Sequence, residues 1–266
     1  MRPPPRPAAR RPARPTPRPP VPRRGWAVAA AVWGGLFAVL LVLVAAEWGP
    51  LLSVDRDIAS GLHRSAVTHD DWTRTNRVFS DWVWDPWTMR ALLAVVAGWL
   101  LWRGRWPVAV WLAATAAIGT VLQQGFKAAV GRERPRWPDP VDSAHYAAFP
   151  SGHALTATLA CGLLLWLLAV HPVRRLWRGL AAATAAVSVL GVGFTRVYLG
   201  VHWATDVLAG WLIGLALTAV AILLYPYAAD PAPGPAPKAG APKADTPAPD
   251  RATEHPTPRA DRPHGT

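Results

Sequence analysis

Residues 149–170 read FPSGHALTATLACGLLLWLLAV. A short polar turn, Pro150-Ser151-Gly152-His153, opens into a run that carries no charge as far as Val170. A helix of about 17–25 apolar residues crosses a bilayer, and this stretch fits that length. It sets the expected fold class: an all-α, polytopic membrane bundle. Proline ahead of a helix start is favoured, and Ser151 is a good N-cap residue. Gly152 lets a ligand come close to the backbone. The free N–H groups and positive dipole end of such a helix suit a phosphate. A plain turn feeding a helix would use the same residues. His153 nevertheless stands at the edge of a membrane span, where an ionisable group is costly and a functional candidate by default.

Five more apolar segments flank this one, at about 26–46, 87–102, 106–126, 179–195 and 203–227, so six transmembrane helices are expected over 26–227. Ala and Gly alternate in them with Leu, Val and Trp, a composition suited to close packing of membrane helices. The 266-residue chain carries a formal net charge of +12, yet 52% of it is hydrophobic. That pairing points to a membrane protein with basic flanks; nucleic acid is not an expected partner. Of 16 Trp, several (Trp26, Trp48, Trp87, Trp106, Trp203) fall near span ends, where indole favours the headgroup region. Cys161 is the single cysteine, so no intrachain disulfide forms. Residues 1–25, rich in Pro and Arg, and 228–266, rich in Pro and Ala, are expected to be disordered tails. The first apolar run is longer than a signal-peptide core and is read as a retained helix.

Orientation follows the basic residues. Arg2, Arg6, Arg10, Arg11, Arg14, Arg18, Arg23 and Arg24 precede the first span with no acid among them, which puts both termini in the cytoplasm. The acidic segment between spans one and two then lies outside. So does the basic 127–136 stretch, against the rule, and anion binding is one reason for it. Counting spans brings the ends of spans three and five and the starts of spans four and six to one extracytoplasmic face of the cell membrane.

Two further polar clusters lie at those ends. In the first, Lys127 and Arg134 flank Gly131, with Arg132 and Arg136 nearby; point charge and planar fork both suit phosphate, and lipid headgroups would attract the same residues. In the other, His202 and Asp206 are four apart, on one helical face. A carboxylate on one imidazole nitrogen leaves the other free as nucleophile or base; a structural His–Asp pair has the same spacing. Arg196 precedes them across a turn containing Gly200, with no near acid in sequence except Asp206. His63, His69, His145, His171, His255 and His264 lack such spacing and read as solvated surface, with His145 near enough to the second cluster to sit on a pocket rim.

In order and spacing, Lys127 to Arg134-Pro135, then Pro150-Ser151-Gly152-His153, then Arg196, Gly200, His202 and Asp206 resemble the three-part signature of the type-2 phosphatidic acid phosphatase superfamily. That family includes membrane lipid phosphatases and, on a related scaffold, soluble vanadium-dependent haloperoxidases, a poor match for six spans. One departure is Thr195, where Ser is usual. The resemblance implies that His202 attacks phosphorus and forms a phosphohistidine, that Asp206 orients it, and that His153 protonates the leaving oxygen and then activates water. Lys127, Arg134, Ser151, Gly152 and Arg196 would hold the phosphoryl oxygens. It implies no metal and no cofactor, and a lipid phosphate or polyprenyl pyrophosphate as substrate, hydrolysed at the extracytoplasmic face. A lipid phosphotransferase with the same intermediate, or a non-enzymatic membrane binding protein of the same fold, are the alternatives. Which lipid is cleaved, and the oligomeric state, do not follow from the residues.

Overall fold

The computed structural model describes residues 23–226. The expectations for the two tails fall outside them, apart from the first turn of the first helix. Among the described residues eight α-helices form: α1 (Arg23–Ala45), α2 (Gly49–Thr68), α3 (Asp70–Val78), α4 (Pro86–Trp102), α5 (Trp106–Val130), α6 (Gly152–Val170), α7 (Arg175–Tyr198) and α8 (Ala204–Leu223), with a π-helical turn (Phe79–Val83) between α3 and α4. Helices occupy all six apolar segments read from the sequence. Five of them (α1, α5, α6, α7, α8) are long and apolar enough to cross a membrane. At 17 residues α4 is the shortest, and it measures about 26 Å at 1.5 Å per residue. Its end residues Trp87 and Trp102 expose 76% and 79% of their surface, as interface anchors do. Along α1, Val28, Val32, Leu36, Val39 and Val42 form an exposed apolar stripe that suits lipid. This is a multi-pass membrane protein.

Helix α8 is central: α1 and α6 both pack along it. Leu155, Leu159 and Leu163 of α6 meet Leu212 and Ile213 of α8 in the main core. The two backbones come close at Gly210, where a Cβ would lie 2.7 Å from the Ser151 carbonyl oxygen. Small residues permit such approach where lipid offers no hydrophobic drive between helices. The same contact brings Ser151 N–H to the Asp206 carbonyl at 2.9 Å, tying the second polar cluster to the third.

The acidic segment after the first span, which carries no apolar periodicity, folds into α2, α3 and the π turn. Its buried stripe is Asp55, Ala59, His63 and Ala66, continued by Thr73, Asn76 and Ser80. The spacing is helical, but the residues are polar or small, so a search for apolar faces passes over it. Helix α2 packs on α7 and α8, above the ends that carry the clusters.

Candidate active site

Helix ends bring all three clusters together. Lys127 and Arg196 each lie inside the last turn of their helices, α5 and α7, since both helices run on past the apolar boundary. Gly152 and His153 open α6, and His202 sits two residues ahead of α8. Lys127, Arg134, Gly152, His153, Arg196 and His202 line one cavity of about 630 Å³. Ser151 lies behind its wall, fully buried, and its Oγ accepts a long 3.5 Å hydrogen bond from Ala154 N–H. His145 lines the cavity, as its place in sequence indicated.

The turn before His202 is made by Gly200, at φ +70°; a Cβ there would sit 2.4 Å from Trp137 Nε1. Trp137 Nε1–H donates to the Gly200 carbonyl at 2.9 Å. The ring of His63 stacks on Trp137 at 4.2 Å, and His63 is buried, which corrects its reading as solvated surface.

His202 is 1% exposed. Its Nδ1 is 3.3 Å from Asp206 Oδ2, and its Nε2 lies 3.0 Å from Arg134 Nη1. With Nδ1–H donating to Asp206, the Nε2 lone pair faces Arg134 and the cavity. Burial first, then the charges of Arg134, Arg196 and Lys127, hold the His202 pKa well below its usual range, so the ring is neutral. Arg134 also donates to the carbonyls of Val201 and Tyr146, at 2.5 and 2.9 Å. Burial, then Arg196, pushes its pKa down to about 10, which leaves it cationic at neutral pH. Lys127 Nζ donates to the Ala147 carbonyl.

Arg196 is 4% exposed. Its acids are not the Asp206 that proximity in sequence offered. Nη1 donates to Ser80 Oγ at 2.7 Å and lies 3.8 and 4.0 Å from Asp81 and Asp142. The Nε of Arg196 is buried without a hydrogen-bond partner among the described residues. Thr195, in place of the family's serine, bonds through its hydroxyl to the Val192 carbonyl of its own helix at 3.0 Å. His153 Nε2 is 3.8 Å from Asp85, the N-cap of α4.

Behind His202 lies a set of charges that sequence reasoning missed. Asp206 Oδ2 accepts from Trp203 N–H at 2.9 Å, and Oδ1 from Arg132 Nη1 at 2.6 Å. Arg132 Nη2 donates to Asp55 at 2.8 Å. Asp55 also accepts from Thr205 N–H at 2.9 Å and from the Thr205 hydroxyl. Arg132 is therefore not a surface headgroup ligand, whereas Arg136 pairs with Glu133 on the exposed face. The one available signal for Asp55 was the four-residue spacing from Asp55 to Ala59 and His63. A second cavity of about 420 Å³, lined by Glu47, Asp55, Arg56, Arg132, Glu133 and Trp203, reaches neither catalytic candidate histidine. Among the described residues no cluster of His, Cys, Asp and Glu is arranged to hold a metal ion.

The chain is similar to known proteins in sequence and in fold. The chain is 32% identical to phosphatidylglycerophosphatase B of Bacillus subtilis over 129 residues, 47% of this chain and 62% of that one. It is 30% identical to an undecaprenyl-diphosphatase of Sulfolobus acidocaldarius over 143 residues, 50% of this chain and 59% of that one. The match thus spans about three fifths of each of these relatives. The fold matches the crystal structure of a transmembrane PAP2-type phosphatidylglycerolphosphate phosphatase of Bacillus subtilis, with a TM-score of 0.64 and 22% identity, over 73% of this chain and 94% of that one. The sequence pattern of the PAP2 superfamily matches residues 106–230, which hold every residue of the three clusters. That stretch is just under half of the chain, and over it the chain is similar to the PAP2 superfamily.

Proposed function

We propose that the protein is an integral membrane hydrolase that removes the terminal phosphate from a lipid phosphate or diphosphate. The observation that carries this is the geometry of His202, with Asp206 on one nitrogen and the other nitrogen facing a cavity ringed by Lys127, Arg134 and Arg196. The relatives named for phosphatidylglycerophosphate and undecaprenyl diphosphate support a lipid substrate.

The reaction runs in two halves. The Nε2 lone pair of His202 forms a bond to phosphorus while the bond to the leaving oxygen breaks, and His153 gives that oxygen a proton. Asp206 stabilises the ring as it gains positive charge. His153 then takes a proton from water as the water oxygen bonds phosphorus, and the N–P bond breaks to return neutral His202. Lys127, Arg134, Arg196 and the Gly152 N–H hold the non-bridging oxygens, with Ser151 capping the helix that presents Gly152. No step calls for a metal. The positive-inside count supports a site on the extracytoplasmic face with both termini in the cytoplasm.

Purified protein in detergent, given a panel of lipid phosphates and diphosphates with a chelator present, tests this. Phosphate is released by the native chain and lost in His202→Ala. Full activity in that variant, or activity that disappears with the chelator, overturns the mechanism.

A further inference from the structure

Arg90 lies in α4, about one turn or 6 Å inside the start of the span. A cation at that depth is costly and calls for a reason. It lines the 630 Å³ cavity together with His153 and His202. It also lines two smaller cavities below, of about 220 and 10 Å³, between α4, α5 and α6. Apart from Arg90, Thr120 and Thr156 their walls are apolar: Leu93, Ala94 and Ala97 on α4 face Ala113, Ala116 and Ala117 on α5. From Arg90 to Ala97 this cleft descends about 10 Å into the span. Arg90 thus stands where the polar cavity meets an apolar slot.

The other cations on that cavity wall have protein acceptors: Lys127 has the Ala147 carbonyl, Arg134 those of Val201 and Tyr146, and Arg196 has Ser80. Arg90 makes no hydrogen bond or ion pair with any described residue, and its Nε is buried without an acceptor. Its one described contact of note is the face of Trp87, 5.5 Å from the guanidinium carbon to the ring centre. Leaving a buried charged donor unmet costs free energy, and an anion in the cavity would meet it.

We propose that Arg90 binds a second, inner phosphate of the substrate lipid, placed between the phosphate that His202 attacks and the chain, which occupies the α4–α5 cleft. This rests on the hydrolase reading above. Three cations already surround the terminal phosphate. A fourth, on the side of the apolar slot, is in excess for a lipid with a single phosphate and matches one with two. The planar fork suits a phosphate oxygen pair. Two lipid types carry that chemistry: a long-chain alcohol diphosphate, and a lipid with a phosphodiester followed by a terminal glycerol phosphate. In the first, the bridging oxygen gains negative charge as its bond to the outer phosphorus breaks, and Arg90 stabilises it.

The test compares kcat/KM of the native chain and Arg90→Gln in detergent on a prenyl diphosphate, phosphatidylglycerol phosphate and phosphatidic acid. The ratio of a two-phosphate lipid to phosphatidic acid is expected to fall about tenfold or more, the scale of one charge-assisted hydrogen bond, and Arg90→Lys to recover part of it. A fall confined to one two-phosphate lipid names that lipid as the source. A change under about threefold for both overturns the proposal, whatever happens to the absolute rates. Should Arg90→Gln fail to fold, inhibition of the native chain decides. Methylenediphosphonate should inhibit about tenfold more tightly than methylphosphonate, and equal inhibition overturns the proposal. His202→Ala separates the two readings. Loss of all turnover there with an unchanged Arg90→Gln ratio sinks the inner-phosphate site and leaves the hydrolase standing; retained turnover sinks the hydrolase.

Discussion

Asp55→Asn isolates the charge set behind His202, the proposed nucleophile. Asp55 is 1% exposed, lies far from the three clusters in sequence, and touches no cavity that holds His202. The substitution keeps an oxygen for Thr205 N–H, at 2.9 Å in the native chain. The amide nitrogen then takes the place of Oδ2, which accepts from both Arg132 Nη2, at 2.8 Å, and the Thr205 hydroxyl. One charge-assisted bond is lost and Arg132 keeps only Asp206 as an anion, a cost of about 2–4 kcal/mol in stability. If half of about 3 kcal/mol is expressed at the transition state, through looser anchoring of Asp206 and of the imidazole it orients, kcat falls about tenfold. KM should hold within about twofold, because Lys127, Arg134 and Arg196 keep their own acceptors. The assay is phosphate release from a lipid phosphate in detergent, with thermal unfolding followed by intrinsic Trp fluorescence. A lowered Tm with unchanged kcat means that Asp55 supports the fold alone and refutes the positioning argument. A raised KM at constant kcat refutes it differently, by making Arg132 a substrate ligand. The Asp55→Asn/Arg132→Gln double mutant should show strong coupling, since the two side chains share one bond.

Other outcomes are open to the same assays. His202→Ala removes the proposed nucleophile, so phosphate release should drop at least about a thousandfold, and a trapped phosphohistidine should be absent from it by acid-labile ³²P labelling. The pH profile should show no acid limb from His202 at or above its ordinary 6.5, because burial and the surrounding cations depress its pKa and the ring stays neutral as pH falls through that value; an acid limb near 6.5 in the native chain that moves to higher pH in a variant lacking Arg134 would contradict this. Gly200→Ala forces a side chain into φ +70° and against Trp137, at a cost of about 1–3 kcal/mol read as a lower Tm together with lost activity, since the same turn carries His202. Arg136→Gln, on an exposed pair with Glu133, should leave both within experimental error.

Much of the molecule was legible from one dimension. Apolar length set the helices, since backbone hydrogen bonds must close within each span where no water can reach. The spacing of His202 and Asp206 named a pair that lies at 3.3 Å. What escaped was the polar packing around that pair. Asp55, Arg132, Ser80, Asp81 and Asp142 come from segments whose buried faces are polar, and hydrophobic periodicity is blind to such faces. Arg196 shows the limit most sharply: its nearest acid in sequence was Asp206, yet its partners come from the segment after the first span and from the loop after α5.

The chain by itself determined that this is a bundle of membrane helices and which residues stand at their ends, because length, charge and local spacing are properties of neighbours along the backbone. Only the tertiary structure decided which charges meet. Ion pairing depends on distances through space, and those are set by how closely α6 approaches α8 at Gly210 and by how α2 lies over the mouth of the bundle. Arg132 is consumed in holding Asp206, and Arg90 is left without an ion pair among the described residues at the head of an apolar cleft, for that reason alone.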